Sequence, residues 1–205
     1  MIKDDHYNEG FSENSGVKIF YRDYGPKDGD PILMVHGLGA QLVHWPIHLI
    51  NFLQSNNFRP ITYDNRDVGL SSRFLNTPSF VIDYVKYFLR LPIKSEYTID
   101  DMASDGINLL DTLNIKKTHI FSTSMGGMIA QIISAQYPER VKSFTLIAST
   151  ASTPSPINAP KKAVRDIMME RSKNPNASHE EILEREIRMV SLIGMDGRIV
   201  DTVSY

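Results

Sequence analysis

Residues 122–127, Ser-Thr-Ser-Met-Gly-Gly, carry the residue types that nucleophilic catalysis requires. They follow a short strand predicted at 119–121 and precede apolar residues with helical spacing. A nucleophilic serine on a sharp strand-to-helix turn needs small residues two positions away on either side. Gly126 meets that need, whereas Ser122 stands where glycine is usual. Because the turn also sets Ser124 at a helix N-terminus, whose free amides favour negative charge, Ser124 is the candidate nucleophile.

A second glycine-rich segment, His-Gly-Leu-Gly at 36–39, follows an earlier apolar run at 31–35. That run has the continuous apolar character of a strand buried on both faces. Acyl transfer needs two backbone amides aimed at the oxyanion, one after the nucleophile and one in the loop after this strand. We expect the amides of Met125 and Leu38 to form this oxyanion hole, and we expect His36 to be a packed structural residue. Four glycines are expected to support the two loops: Gly37, Gly39, Gly126 and Gly127.

Short apolar strands alternate with amphipathic helices over residues 17–148, which predicts an α/β fold. We expect a mostly parallel sheet with helices on both faces. Strands near 32–36, 60–64, 118–123 and 142–148 are predicted to be parallel neighbours, with 17–24 antiparallel at their side. Helices are predicted from Pro46, which suits a first helical turn, from a capping box at Thr98, and over 80–91.

The amino-acid composition of the sequence changes at about residue 150. Residues 149–160 are rich in Ser, Thr and Pro, as a connector would be. Two helices are predicted next, over 161–172 and from a second capping box at Ser178, with no strand after them. We therefore assign 1–150 to the core and 151–205 to a connector and a partial helical element.

Four stretches resemble the α/β-hydrolase superfamily, in particular its esterase-like members. They are Val-His-Gly-Leu-Gly at 35–39, Tyr-Asp-Asn-Arg-Asp-Val-Gly-Leu-Ser at 63–71, Ser-Met-Gly-Gly at 124–127 and Tyr-Pro-Glu-Arg-Val at 137–141. The resemblance implies a Ser-His-acid triad and hydrolysis of an ester or related acyl substrate. It also implies a helical cap after the sixth strand, which residues 158–205 resemble, and a mainly structural role for residues 64–71.

The expected triad partners are missing from the sequence. In this superfamily the triad follows the chain order Ser, then Asp or Glu, then His. His179 is the only histidine after Ser124, and we expect it to be an exposed residue at a helix start. We therefore expect the triad acid and histidine to lie outside residues 1–205, and the chain by itself to be inactive. His44 and His48 have the spacing of a metal pair, but Pro46 lies between them and no third ligand is near, so no metal site is expected.

Composition narrows the remaining possibilities. The formal net charge is -2, so no basic excess favours nucleic acid or an anionic membrane. There is no cysteine, no secretory leader pattern and no apolar run of ~20 residues, which predicts a cytoplasmic protein without a membrane span. The expected partner is a small-molecule acyl substrate, with no cofactor. Nothing in the sequence indicates an oligomeric state or the size of the acyl group.

Several alternatives share these motifs. The same serine turn serves perhydrolases, amidases, carbon–carbon bond hydrolases and acyltransferases, and the fold does not separate them. A catalytically inactive small-molecule binding protein that kept the pocket is the alternative from another class. Epoxide hydrolases and dehalogenases of this fold use an aspartate nucleophile, so Ser124 argues against them.

Overall fold

The computed structural model describes residues 7–74, 95–151, 162–173 and 178–193, which form two compact units divided after Ala151. The described part of the first unit contains β1 (Asn8–Asn14), β2 (Val17–Asp23), β3 (Asp30–Val35), α1 (Ile47–Ser55), β4 (Phe58–Tyr63), α2 (Ile99–Thr112), β5 (Thr118–Thr123), α3 (Met125–Gln136) and β6 (Val141–Ile147). Short 3₁₀ turns lie at Leu42–His44 and Pro138–Arg140. The second unit contains α4 (Lys162–Lys173) and α5 (His179–Ile193).

The strands of the described chain form one sheet in the order β1-β2-β4-β3-β5-β6. Strands β4, β3, β5 and β6 are parallel, whereas β2 is antiparallel to β4 and β1 is antiparallel to β2. This arrangement confirms the predicted parallel neighbours and the antiparallel strand at their side. In the register between β3 and β5, Val35 lies opposite Ser122. The loops that follow these two strands therefore leave the sheet at the same edge.

The hydrophobic pattern does not predict β1. Phe11 is its one large apolar residue, and 49% of that residue is exposed. The strand is held instead by continuous pairing with β2 and by the buried Ser12, whose hydroxyl oxygen accepts a hydrogen bond from Asn108 Nδ2 at 2.6 Å. Backbone pairing stabilises this strand, and the pattern of its side chains therefore does not predict it.

Apolar side chains on the two faces of the sheet form separate clusters. Leu33 and Val35 of β3 pack on one face with residues of α2 and α3. Ile32 and Met34 pack on the other face with Trp45 and residues of α1. Successive residues of a strand point to opposite faces, so β3 enters both clusters. The expectation of a sheet covered by helices on both faces is confirmed.

Two helix starts show how local sequence sets the elements. The predicted capping box at Thr98 is present: Asp101 N donates to Thr98 Oγ1 at 3.2 Å, and Thr98 N donates to Asp101 Oδ2 at 2.7 Å. Pro46, predicted in the first helical turn, is instead the N-cap of α1. Its φ of -59° suits a helix but its ψ of 128° is extended, so helical geometry begins at Ile47.

β6 is less buried than its apolar sequence suggests. Phe144, Leu146 and Ile147 are 45%, 37% and 44% exposed. In the described part of the chain β6 is the last strand of the sheet, so nothing pairs with its outer edge. An unpaired apolar edge strand is a site where another strand can add.

The second unit contains the two helices predicted near 161–172 and after Ser178. The capping box at Ser178 is present, with Ser178 N donating to Glu181 Oε2 at 2.6 Å. Arg188 of α5 pairs with Glu170 of α4 at 2.9 Å. The helix predicted over 80–91 lies outside the described residues. None of the helices that the structure describes is both long and apolar enough to cross a membrane.

Candidate active site

Ser124 lies at the turn where the chain passes from β5 into α3. Its φ of 51° and ψ of -120° fall in a region that residues other than glycine rarely adopt, at a cost of order 1–3 kcal/mol. Two backbone hydrogen bonds fix the turn: Ser124 N donates to Ile147 O, and Gly127 N donates to Ser124 O, both at 2.9 Å. Ser124 itself stays exposed. The predicted nucleophile is therefore presented on a rigid, strained corner.

The residues two positions either side of Ser124 are held tightly. A Cβ on Gly126 would lie 2.2 Å from Val35 O, a distance that no side chain could accept without movement. Ser122 stands where the resemblance expects glycine, and it is fully buried. Its hydroxyl donates to Thr145 O at 2.9 Å, so the polar group is satisfied by β6. The departure from glycine is thus accommodated without loss of the turn.

The glycine loop after β3 lies against Ser124. A Cβ on Gly37 would be 3.0 Å from Ser124 Cβ and 3.5 Å from its Oγ. Ala40 N donates to Gly37 O at 3.3 Å, which closes a turn. Because the peptide group is planar and trans, the N–H of Leu38 points opposite to the Gly37 carbonyl, away from that turn. Gly39 has a φ of 69°, a conformation that favours glycine.

The amide of Met125 is the other predicted oxyanion donor. Met125 is the first residue of α3, and the first amides of an α-helix have no partner within the helix. The aligned peptide dipoles give this end of the helix a partial positive charge. The structure thus brings together Ser124, the helix N-terminus that follows it in the chain, and the glycine loop that packs beside it.

His36 packs beside the glycine loop. Its ring stacks on Trp45 with the centroids 3.9 Å apart, and its Nε2 is buried without a hydrogen-bond partner in the described chain. Burial, and then the nearby charge of His44, lower the pKa of His36 to about 4. The ring is therefore neutral near pH 7, in agreement with the packing role expected for it.

No base contacts the candidate nucleophile within residues 7–74 and 95–151. In these ranges no histidine or carboxylate side chain hydrogen-bonds to the Ser124 hydroxyl. His44 Nδ1 accepts a hydrogen bond from Gln41 N at 3.2 Å, and His48 is exposed on α1. The side chain of His179 lies outside the described residues, so its predicted exposure stays a prediction.

His119 is engaged at the opposite edge of the sheet. One ring nitrogen, Nδ1, lies 2.7 Å from Ser143 Oγ, and the other, Nε2, lies 3.2 Å from Asp30 Oδ2. Lys142 Nζ also contacts Asp30, and it is the main reason that the pKa of Asp30 is lowered, with His119 adding to the effect. A Ser-His-Asp chain of hydrogen bonds therefore exists in this protein, at the amino ends of β3, β5 and β6.

The loop after β4, residues 64–72, makes contacts that the sequence interpretation did not foresee. Arg66 forms a two-point ion pair with Asp105 of α2, at 2.6 and 2.9 Å. The Tyr97 hydroxyl donates to Asp67 Oδ2 at 2.6 Å. These contacts tie the loop to the middle of α2 and to Tyr97, which precedes that helix. The signal that marks this loop in the sequence is a run of four polar residues directly after a buried strand.

Comparison with known proteins identifies the family to which this fold belongs. Residues 30–180 match the family model described as the alpha/beta hydrolase fold. The chain belongs to that family. This α/β-hydrolase is 24% identical, over 92% of its length, to Rhodomycin D methylesterase DauP of Streptomyces sp. (strain C5), of which it covers 63%.

Solved structures show the same fold. The chain matches a carboxylesterase structure from Nitrososphaera gargenis with a TM-score of 0.63 and 23% identity, over 93% of this chain and 61% of that one. It matches Est816, described as an N-acyl homoserine lactone degrading enzyme, with a TM-score of 0.60 and 26% identity, over 88% and 63% of the two chains. The α/β-hydrolase chain therefore spans less than two thirds of the length of each of these relatives.

Proposed function

We propose that this chain carries the nucleophile and the oxyanion hole of a serine hydrolase that cleaves carboxylic esters or related acyl substrates. The observation that supports the proposal most is the backbone of Ser124, with its φ of 51° at the junction of β5 and α3. A strained residue of this kind persists only where its surroundings fix it, and such residues cluster at active sites. The adjacent glycine loop supplies the second backbone amide of the proposed oxyanion hole.

In the proposed reaction, Ser124 Oγ attacks the acyl carbon and the carbonyl oxygen becomes an oxyanion. The amides of Leu38 and Met125 donate to that oxyanion, in the manner of preorganised donors that act where charge develops. The alcohol leaves with a proton, and water then releases the acyl group from Ser124. A serine hydroxyl needs an adjacent base for this attack.

We propose that the base and its carboxylate come from polypeptide outside residues 1–205. The structure describes the side chains of four histidines in the first unit, and none of them hydrogen-bonds to the Ser124 hydroxyl: His36, His44, His48 and His119. Without a base, a serine site retains the oxyanion hole and substrate binding, which in a worked protease amount to ~10³–10⁴-fold over water. The chain alone is therefore expected to turn over esters very slowly. We also propose that α4 and α5 belong to a helical cap.

An ester is favoured as the substrate because relatives similar over most of the chain are named as a methylesterase and carboxylesterases. Perhydrolase, amidase, carbon–carbon hydrolase and acyltransferase reactions use the same serine turn and stay open. A binding protein without catalytic activity is the second candidate, since the Ser124 hydroxyl has no base in residues 7–74 and 95–151. The cytoplasmic location stays a prediction.

The test compares residues 1–205 with the polypeptide encoded by the whole open reading frame that contains them, using p-nitrophenyl esters of short acyl chains. We expect slow release of p-nitrophenol from the short chain and rapid release from the longer one. Ser124→Ala should reduce kcat of the longer one by about 10⁴-fold or more, as loss of a triad serine does. Ser143→Ala is the matched control and should leave kcat unchanged.

Two results would contradict this proposal. One is substantial turnover by residues 1–205 that disappears when a single one of its histidines is replaced. The other is a reading frame that stops after codon 205 and a product without Ser124-dependent hydrolysis, which would support the binding protein instead.

A further inference from the structure

The Asp64-Asn65 pair lies where the loop after β4 meets the glycine loop. Both side chains are almost fully buried, with exposures of 3% and 2%. Asp64 follows the last residue of β4, so its backbone is fixed by the sheet: its N–H donates to Phe20 O of β2 at 2.9 Å. A buried carboxylate is costly unless hydrogen-bond donors satisfy it. The donors that satisfy Asp64 come from two different loops.

One oxygen of Asp64 reaches the segment that follows the glycine loop. Asp64 Oδ1 accepts a hydrogen bond from Leu42 N at 2.8 Å, and Oδ2 accepts one from Leu70 N at 3.1 Å. The second loop closes tightly on the carboxylate, because a Cβ on Gly69 would lie 1.9 Å from Asp64 Oδ2. Asp64 thus joins residue 42 to a rigid part of the fold.

Asn65 holds the other end of the glycine loop. Its Nδ2 donates to the carbonyl oxygen of His36 at 3.3 Å. The peptide that carries this carbonyl precedes the one that carries the Leu38 amide. The pair therefore contacts the loop at residues 36 and 42, on both sides of Leu38, whereas Leu38 itself has an exposed side chain that provides no anchor.

We propose that Asp64 and Asn65 are positioning residues that hold the Leu38 amide in the direction needed for an oxyanion. The inference rests on the proposed function, since it assigns a purpose to the Leu38 amide. A misplacement of about 1 Å in a catalytic group can cost about 100-fold in rate. Because the oxyanion is absent from the bound substrate and develops only as Ser124 attacks, loss of either side chain lowers kcat and leaves KM nearly unchanged.

The kinetic test uses Asp64→Asn and Asn65→Leu in the polypeptide encoded by the whole reading frame, with p-nitrophenyl acetate. We expect kcat to fall 10- to 100-fold in each, with KM within about twofold. Asp23→Asn is the matched control. Asp23 is as buried as Asp64 and also accepts a backbone amide, from Gly25 at 3.1 Å, but its other partner is Arg59. This variant should lose stability and keep its kcat.

A second measurement does not depend on catalysis. In residues 1–205, amide hydrogen exchange of the segment 36–44 should accelerate at least tenfold in Asp64→Asn and Asn65→Leu, and stay at the parent rate in Asp23→Asn. Unchanged exchange in that segment overturns the positioning role, as does a kcat loss no larger than that of Asp23→Asn. If no form shows Ser124-dependent hydrolysis, the proposed function fails, and hydrogen exchange still decides whether the pair holds the loop.

Discussion

Two serines of this α/β-hydrolase lie at opposite edges of the same sheet. One has the side-chain partners of a catalytic serine, and the other has the backbone surroundings of one. Ser143 has a histidine and an aspartate in a hydrogen-bonded line, through His119 and Asp30. It lies within β6, opposite His119 and next to a break in the register between β5 and β6, without a positive φ and away from a helix start. Ser124 has the strained turn, the helix N-terminus and the neighbouring glycine loop, and no described histidine hydrogen-bonds to it.

The difference shows why residue types alone do not identify a catalytic site. A Ser-His-Asp line moves a proton, but acyl transfer also requires donors aimed at the developing oxyanion. Those donors are fixed backbone features of the fold, which a strand position does not offer. A base, in contrast, is one side chain that another part of the polypeptide can bring. We therefore propose that the chemistry takes place at Ser124.

The largest expected effect concerns the glycine next to the Ser124 turn. Gly126→Ala places a Cβ 2.2 Å from Val35 O, so β3 or α3 has to shift. We expect the free energy of unfolding to fall by about 3 kcal/mol or more, at the upper end for overpacking. Gly16→Ala is the control: its φ of 81° is unfavourable for alanine, but nothing lies within 4 Å, so the loss should be about 1 kcal/mol. Urea titrations of both variants measure the difference. Equal losses would mean that the Ser124 edge is no more constrained than an open turn.

A smaller effect is expected from pH, through His36. Its pKa of about 4 lies below its ordinary value of 6.5, so the unfolded chain takes up the proton first as the pH falls. The stability contributed by the neutral ring is full above about pH 6.5 and is lost progressively towards pH 4. We expect a loss of about 2 kcal/mol between pH 7 and pH 4.5.

His36→Phe keeps an aromatic ring against Trp45 but cannot take up a proton, so this variant should lose that part of the pH dependence. Urea titrations at the two pH values check it, with the exposed His48→Phe as the control. A His36→Phe chain with the same pH dependence as the parent would show that the ring beside the glycine loop is not the group being charged.

The smallest effect separates the two serines by stability alone. Ser124→Gly relieves backbone strain of order 1–3 kcal/mol, and the greater freedom of glycine in the unfolded chain offsets about 0.5–1 kcal/mol of it. We expect a net gain of about 1 kcal/mol. Ser143 lies within a strand, so Ser143→Gly should lose about 1 kcal/mol. Thermal unfolding of the two variants checks the opposite signs. A loss in Ser124→Gly would show that the turn stores no strain.

The sheet and the Ser124 turn could be predicted from sequence because their signals are local. The continuous apolar run of β3, the small residues around Ser124 and the Thr98 capping box each depend on a few consecutive residues. β1 could not be predicted, since backbone pairing with β2 holds it and its side chains alternate weakly. The exposure of β6 could not be predicted either, because the apolar character of a strand does not indicate what packs against its outer edge.

The contacts around the site were beyond sequence reasoning for a different reason. Asp64 meets Leu42, and Arg66 meets Asp105, across long stretches of chain. Such pairs depend on which strands are neighbours in the sheet. The hydrophobic periodicity within one segment does not predict them. The line of Ser143, His119 and Asp30 was likewise invisible until the register of three strands brought the residues together.

The most direct test of the account is to find which serine reacts. An alkyl fluorophosphonate transfers its phosphonyl group to a nucleophilic serine and releases fluoride, and mass spectrometry of a digest locates the adduct. In the polypeptide encoded by the whole reading frame, we predict that the adduct lies on Ser124, disappears in Ser124→Ala and persists in Ser143→Ala. An adduct on Ser143, or labelling that Ser124→Ala leaves unchanged, would contradict the assignment of the chemistry to Ser124.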